Sequence, residues 1–256
     1  MDRKIEVGQS VSRLPGQSLR ERRNEKLDDE MFLPLCLFMS GMILLVVECL
    51  HVYGGLKPSI RIGIVAFVAS LAFCVWSGFK VRRWMRAFRQ GERGERIVAQ
   101  AIQRDLAPMG YVAFHDIPLS KDGRDFNIDH LVIGENGIFA IETKNYTKPD
   151  KGSVEVRYDG KKILWNGVRR KDEDRQAMAV AKAAKELIDG ATGLRVFVTP
   201  VLCTVGWYAA SSDLYGNPVL LCMEKTLKSV IPKVQPHAKL EESDRNKIIS
   251  ALDRLQ

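Results

Sequence analysis

The chain has 256 residues, 46% of them hydrophobic and 27% charged, with a formal net charge of +8. That length holds one or two domains, and the basic balance favours acidic partners, either phospholipid or nucleic acid. Five scattered cysteines argue against a disulfide framework and offer no zinc-ligand spacing, and four distant histidines form no HExxH pattern.

Residues 1–30 carry seven basic and seven acidic side chains, which predicts a flexible cytoplasmic tail. Residues 31–53, MFLPLCLFMSGMILLVVECLHVY, are apolar for about 20 positions, enough to cross a bilayer as a helix. Their one charge, Glu48, sits near the end, where an interfacial carboxylate costs little. A second apolar stretch over 60–79 follows the short turn GGLKPSIR, so the two helices should be antiparallel neighbours. Gly63, Ala66 and Ser70 are small enough to let the backbones approach. Arg20, Arg22, Arg23 and Lys26 precede the first span, and Lys80, Arg82, Arg83, Arg86 and Arg89 follow the second. The positive-inside rule therefore places both termini in the cytoplasm, the expected setting being a bacterial inner membrane. The basic stem over 80–90, with Trp84 and Phe88 among its arginines, suits a helix entering the headgroup layer of a phospholipid membrane.

From Glu92 an apolar face of Ile97, Val98, Ala101, Ile102 and Leu106 predicts a helix that Pro108 and Gly110 end. Strands are expected over 111–117, 126–133 and 137–143, the last two joined at Glu135-Asn136-Gly137. A short hairpin is expected around Asp159-Gly160, then a helix over 172–188. The apolar run 195–205 reads as a central strand covered on both faces, and 218–223 as another. Short helices over 225–230 and 241–255 close the chain. This order predicts an α/β domain over 91–256, a mixed sheet flanked by helices.

Chemistry concentrates in NIDHLVI and FAIETKN. In an extended strand Glu142 and Lys144 share a face, and a turn near Asn136 brings Asp129 towards Glu142. Two converging carboxylates suit Mg²⁺, which takes one or two carboxylates with water and phosphate. A lysine beside them can orient a water and help deprotonate it for attack on a phosphodiester. The competing reading is an ion pair on a solvated sheet face. His130 should face away from Asp129 and receives no chemical role. Trp165, Trp207 and Tyr208 could stack on bases but read as packing residues, and Cys203 reads as core.

GERGE at 91–95, NIDHLVIGENGIFAIETKNY at 127–146 and Gln176 in an alanine-rich helix carry a resemblance. Residues 91–205 resemble the NERD (nuclease-related) domain, itself similar to the PD-(D/E)XK restriction-endonuclease-like superfamily. The resemblance implies a restriction-endonuclease-like mixed sheet and a Mg²⁺ (or Mn²⁺) dependent nuclease site. Glu95 would be the first-helix acid, Asp129 and Glu142 would bind metal, and the Thr143 carbonyl would add a ligand. Lys144 would act on the water, with Gln176 supporting the site from the second helix. Glu95 and Gln176 keep plain alternatives, an acid favoured by a helix N-terminus and a surface glutamine. One departure is the insertion YTKPDKG after Asn145, which would reshape the rim. The expected function is a membrane-anchored nuclease acting on DNA, or on RNA in second place, with a homodimer implied if both strands are cut. The alternative is a non-catalytic module that tethers nucleic acid or protein at the membrane.

Overall fold

The computed structural model describes residues 6–7, 13–55, 60–121, 123–170, 172–211, 216–235 and 240–255. The chain divides into two compact units, Leu19–Arg89 and a larger one made of Met1–Ser18 with Gln90–Gln256.

After a two-residue strand, β1 (Glu6–Val7), come two long helices, α1 (Gln17–Tyr53) and α2 (Ile60–Asp105). Both are long and apolar enough to cross a membrane. Their large apolar side chains, Phe32, Leu44, Val65 and Trp76 among them, are exposed rather than packed into a protein core. Small residues set their approach. A Cβ added to Gly41 would lie 2.4 Å from Ser70 Oγ and 3.3 Å from the Ala66 carbonyl, and one on Gly63 would lie 3.2 Å from Glu48 Cγ. The linker 56–59 lies outside the described residues.

Two expectations for this region are corrected. Residues 17–30 are the first turns of α1 rather than a flexible tail. Leucine, glutamate, arginine and lysine are strong helix formers, and the polar turns find partners: Lys80 Nζ lies 2.9 Å from Glu30 Oε2, and Lys26 stands 5.4 Å from the Trp84 ring. Nor does a separate helix start at Glu92. The stem and the expected domain helix are one uninterrupted α2, which places Glu95 near its C-terminal end and removes any role for a helix N-terminus there.

In the larger unit, α2 ends and a short 3₁₀ turn, Ala107–Met109, leads to β2 (Val112–Lys121), β3 (Arg124–Gly134) and β4 (Gly137–Lys144). Next come β5 (Glu155–Tyr158), β6 (Ile163–Trp165), α3 (Glu173–Thr192), β7 (Val198–Thr204), β8 (Tyr208–Ser211), β9 (Leu220–Met223), α4 (Leu227–Val230) and α5 (Glu242–Asp253). The six-stranded sheet runs β1-β2-β3-β4-β7-β9, and a smaller sheet runs β6-β5-β8. β2, β3 and β4 form an antiparallel meander, while β7 and β9 add in parallel. The mixed sheet flanked by helices is the expected architecture. β8 escaped the sequence reading because four residues after a tight turn carry no clear alternation. α3 runs past Gly190 to end at Gly193, whose left-handed φ of 72° closes the helix with a bond to the Asp189 carbonyl.

Alternation along β4 explains the layers. Ile138 and Ala140 face α3 and α5 together with Leu131, Ile133, Ala184 and Ile188. Phe139 and Ile141 face the end of α2, where Val98, Ile102 and Leu106 lie, and also Leu227 of α4. Cys203 is fully buried in this second layer. β4 and β7 are thus covered on both faces, which accounts for their nearly continuous apolar sequence.

Candidate functional site

The candidate site grows out of the β3–β4 hairpin. Gly134 pairs with Gly137 across the two-residue turn Glu135-Asn136, and the ladder ends at His130 opposite Ile141. One step further along that register sets Asp129 opposite Glu142. Here β4 keeps pairing with β7 as far as Lys144 and Thr204, but its bonds to β3 have stopped. The Thr143 N–H donates to Asp129 Oδ2 at 2.8 Å, so a carboxylate takes the place of a neighbouring strand.

On the α3 side, Glu142 Oε1 accepts from Lys144 Nζ at 2.7 Å and from Gln176 Nε2 at 2.7 Å, and Lys144 also donates to Gln176 Oε1 at 3.0 Å. Glu142, Lys144 and Gln176 thus close a three-membered hydrogen-bonded ring. Alternation places Glu142 and Lys144 on the α3 face of β4, and α3 brings Gln176 onto them.

Glu95 arrives from α2. Gly94 beside it is required by close approach: an added Cβ would lie 2.6 Å from the Asn145 Cβ. Asn145 fixes the contact by donating to the Gln90 carbonyl at 2.7 Å, and Thr147 donates to Gln90 Oε1 at 3.0 Å. The glycine of GERGE therefore lets α2 press against the end of β4. Glu95 is buried, and its Oε2 has no hydrogen-bond partner among the described residues.

A fourth acid was missed in the sequence. Asp116 is fully buried and holds a left-handed φ of 51°, a conformation Asp adopts more readily than most residues. The alternation of β2 resets there, with Phe114 before it and Ile117 and Leu119 after it all facing α3 and α5. Asp116 accepts the Ser18 N–H at 2.7 Å, the Ser18 hydroxyl at 2.5 Å and Asn127 Nδ2 at 2.9 Å, with Arg13 at 3.9 Å. Asn127 also reaches Asp129 Oδ1 at 3.4 Å. Only the residue type could have signalled Asp116, because Ser18, which gives it two hydrogen bonds, lies 98 positions away.

The electrostatics are those of crowded acids. Burial, reinforced by Glu142 and Glu95, pushes the Asp129 carboxyl well above the usual range against the Thr143 N–H. Burial, with Asp116 and Glu142, raises Glu95 to about 8, opposed by a Gly16 backbone bond and Lys144. Burial pulls Lys144 down, but Glu142 and Asp129 outweigh it and the ammonium is held above its ordinary value. His130 faces elsewhere, its Nδ1 lying 2.8 Å from His115 Nδ1. Such a contact needs one ring to donate and the other to accept, and burial lowers both pKa values.

Asp129, Glu142 and the Thr143 carbonyl are the groups here that could hold a hard divalent cation. The donors are all oxygen, the acids repel one another when ionised, and Glu95 Oε2 lacks a partner. Among the described residues no three His, Cys, Asp or Glu side chains converge on a metal-holding geometry, so the fit rests on two acids with a backbone oxygen.

The fold and this hairpin define a mixed α/β domain carrying an acid-lysine-glutamine cluster at the end of its central strands. Residues 90–205 match the nuclease-related domain, NERD. A curated protein of Bacillus anthracis, itself described as uncharacterized, is 38% identical over 58 residues, 22% of this chain and 27% of its own length. The chain thus spans about a quarter of the length of that relative. No solved structure matches the chain.

Proposed function

We propose that this nuclease-related protein is a membrane-anchored, Mg²⁺-dependent nuclease that hydrolyses phosphodiester bonds of DNA. The observation that carries the reading is the meeting of Asp129, Glu142 and Lys144 where the β3–β4 ladder stops, with Gln176 closing the ring. Asp129, Glu142 and the Thr143 carbonyl would hold Mg²⁺ (or Mn²⁺), which supplies charge neutralisation at the phosphate and activation of a water. The residues of the chain do the positioning. Lys144, kept as an ammonium by Glu142, presents N–H donors to charge developing on phosphate oxygens. Gln176 fixes the Glu142 and Lys144 side chains in one arrangement. Glu95, uncharged near neutral pH, limits repulsion among the acids and can hold a proton close to the reacting groups. α1 and α2 would anchor the domain, with both termini cytoplasmic and a phospholipid membrane around the apolar spans.

The test is cleavage of supercoiled plasmid by the full chain in detergent with Mg²⁺ or Mn²⁺, beside Lys144→Ala and Glu142→Ala. The wild type should nick DNA, and Lys144→Ala should be slower by roughly 10²- to 10⁴-fold. A wild type and variants that leave DNA and RNA alike intact would overturn the reading.

A further inference from the structure

Beside the site stands a cation that the proposed chemistry does not use. Arg170 lies between β6 and α3, exposed to solvent, yet its guanidinium is fixed over three rings. Its central carbon is 4.7 Å from the Tyr146 ring centroid, 5.7 Å from that of Trp207 and 6.0 Å from that of Trp165. The rings are themselves locked. Tyr146 meets Trp165 edge-on at 4.7 Å, and Trp165 meets Trp207 edge-on at 5.0 Å. Glu173 accepts the Tyr146 hydroxyl at 2.7 Å and Trp165 Nε1 at 2.6 Å, while Trp207 Nε1 donates to the Tyr146 carbonyl at 3.0 Å.

Aromatic faces attract the flat side of a guanidinium and leave its N–H edge free. Nearby Arg169 and Arg175 both pair with Asp172. Arg170, by contrast, has its ring contacts but no hydrogen bond or ion pair among the described residues. A held arginine with unused donors loses little freedom on binding an oxyanion and suits the two-oxygen fork of a phosphate. The cluster is also continuous with the candidate site. Tyr146 is two residues beyond Lys144, in the inserted YTKPDKG segment. Glu173 and Gln176 sit three apart on one face of α3, the first holding the rings and the second bonding Lys144 and Glu142.

We propose that Arg170, laid over Tyr146, Trp165 and Trp207, is a subsite for a backbone phosphate of the nucleic acid next to the phosphodiester under attack. The proposal rests on the nuclease reading for the identity of its ligand. A guanidinium stacked on rings reads no base, so the subsite positions substrate without selecting sequence.

The experiment is fluorescence anisotropy of the full chain in detergent with a labelled DNA duplex, without Mg²⁺, between 50 and 200 mM salt. Arg170→Ala should weaken binding about 10-fold at roughly 100 mM salt and make the log–log salt slope shallower by about 0.9, one phosphate contact. Arg170→Lys should restore the slope while recovering only part of the affinity, which loss of a purely structural contact would not produce. Should Arg170→Ala fail to fold, Arg170→Gln serves in its place. Variants that bind with the wild-type affinity and slope overturn the proposal, as does a wild type that binds no DNA. Polyglutamate displacing the probe as well as unlabelled duplex overturns it too, by assigning the cation to acidic protein. A wild type that binds through Arg170 yet cleaves nothing sinks only the catalytic reading. Cleavage and binding that ignore Arg170 sink only the subsite.

Discussion

The two ends of the β3–β4 hairpin are built from opposite materials. At the turn end, Ile138 and Phe139 face apolar layers on either side of the sheet, and the polar groups are satisfied. Asn136 donates to the carbonyls of Ile231 and Val234 and accepts from the Tyr111 hydroxyl at 2.7 Å. At the open end, three acids and an ammonium are crowded into a space the ladder has vacated, and the carboxyls of Asp129 and Glu95 are held above their normal range. One end contributes stability through burial. The other carries an electrostatic cost that a bound cation would relieve. That contrast singles out the open end as the candidate functional site.

The contrast can be broken from the turn end first. Phe139→Ala removes a ring with no exposed surface between β4 and α2 and should destabilise the larger unit by about 3–5 kcal/mol. Chemical denaturation followed by tryptophan fluorescence measures this. A loss under about 1 kcal/mol would mean that this end is not the anchor.

A smaller effect sharpens the comparison along β3 itself, where His130 adjoins Asp129. Burial lowers both His130 and His115, so the folded state takes up protons less readily than the unfolded chain, whose histidines titrate near 6.5. The sign follows: the stability associated with the neutral pair is complete above pH 6.5 and is lost as pH falls through the lowered folded values. From pH 7.5 to 5 this loss opposes the stability that the raised Glu95 and Asp129 carboxyls gain on protonation, so it is read as a difference between melting curves. On acidification the double variant His115→Phe/His130→Leu should rise in melting temperature relative to the wild type, and parallel curves would show that the pair is not the titrating element.

The legible part of the fold followed from local signals. The Glu135-Asn136-Gly137 turn fixes a register, and a register is enough to put Asp129 opposite Glu142 from sequence alone. Trp165, Trp207 and Cys203 were readable as buried residues, and they are buried, whereas Tyr208, read as packing too, is 64% exposed on β8, the edge strand of the small sheet. The illegible part depends on contacts between distant segments. Asp116 acquires its place from a left-handed backbone and from Ser18, neither of which periodicity reports. The aromatic group under Arg170 draws Tyr146, Trp165 and Trp207 from three separate segments. The helical start at Gln17 was hidden because a polar helix without an apolar stripe resembles a tail in composition, and its partners Lys80 and Trp84 lie at least 50 positions from Glu30 and Lys26, which they meet.

Uptake of a divalent cation by the crowded acids is the central requirement of the nuclease reading. Thermal unfolding of the full chain should be followed with and without Mg²⁺, for the wild type and for Asp129→Asn. The wild type should gain about 2.7 kcal/mol at a free Mg²⁺ concentration near 100 times its Kd, and Asp129→Asn should gain almost nothing. A wild type that ignores both Mg²⁺ and Mn²⁺, or an Asp129→Asn variant stabilised as strongly as the wild type, would contradict it.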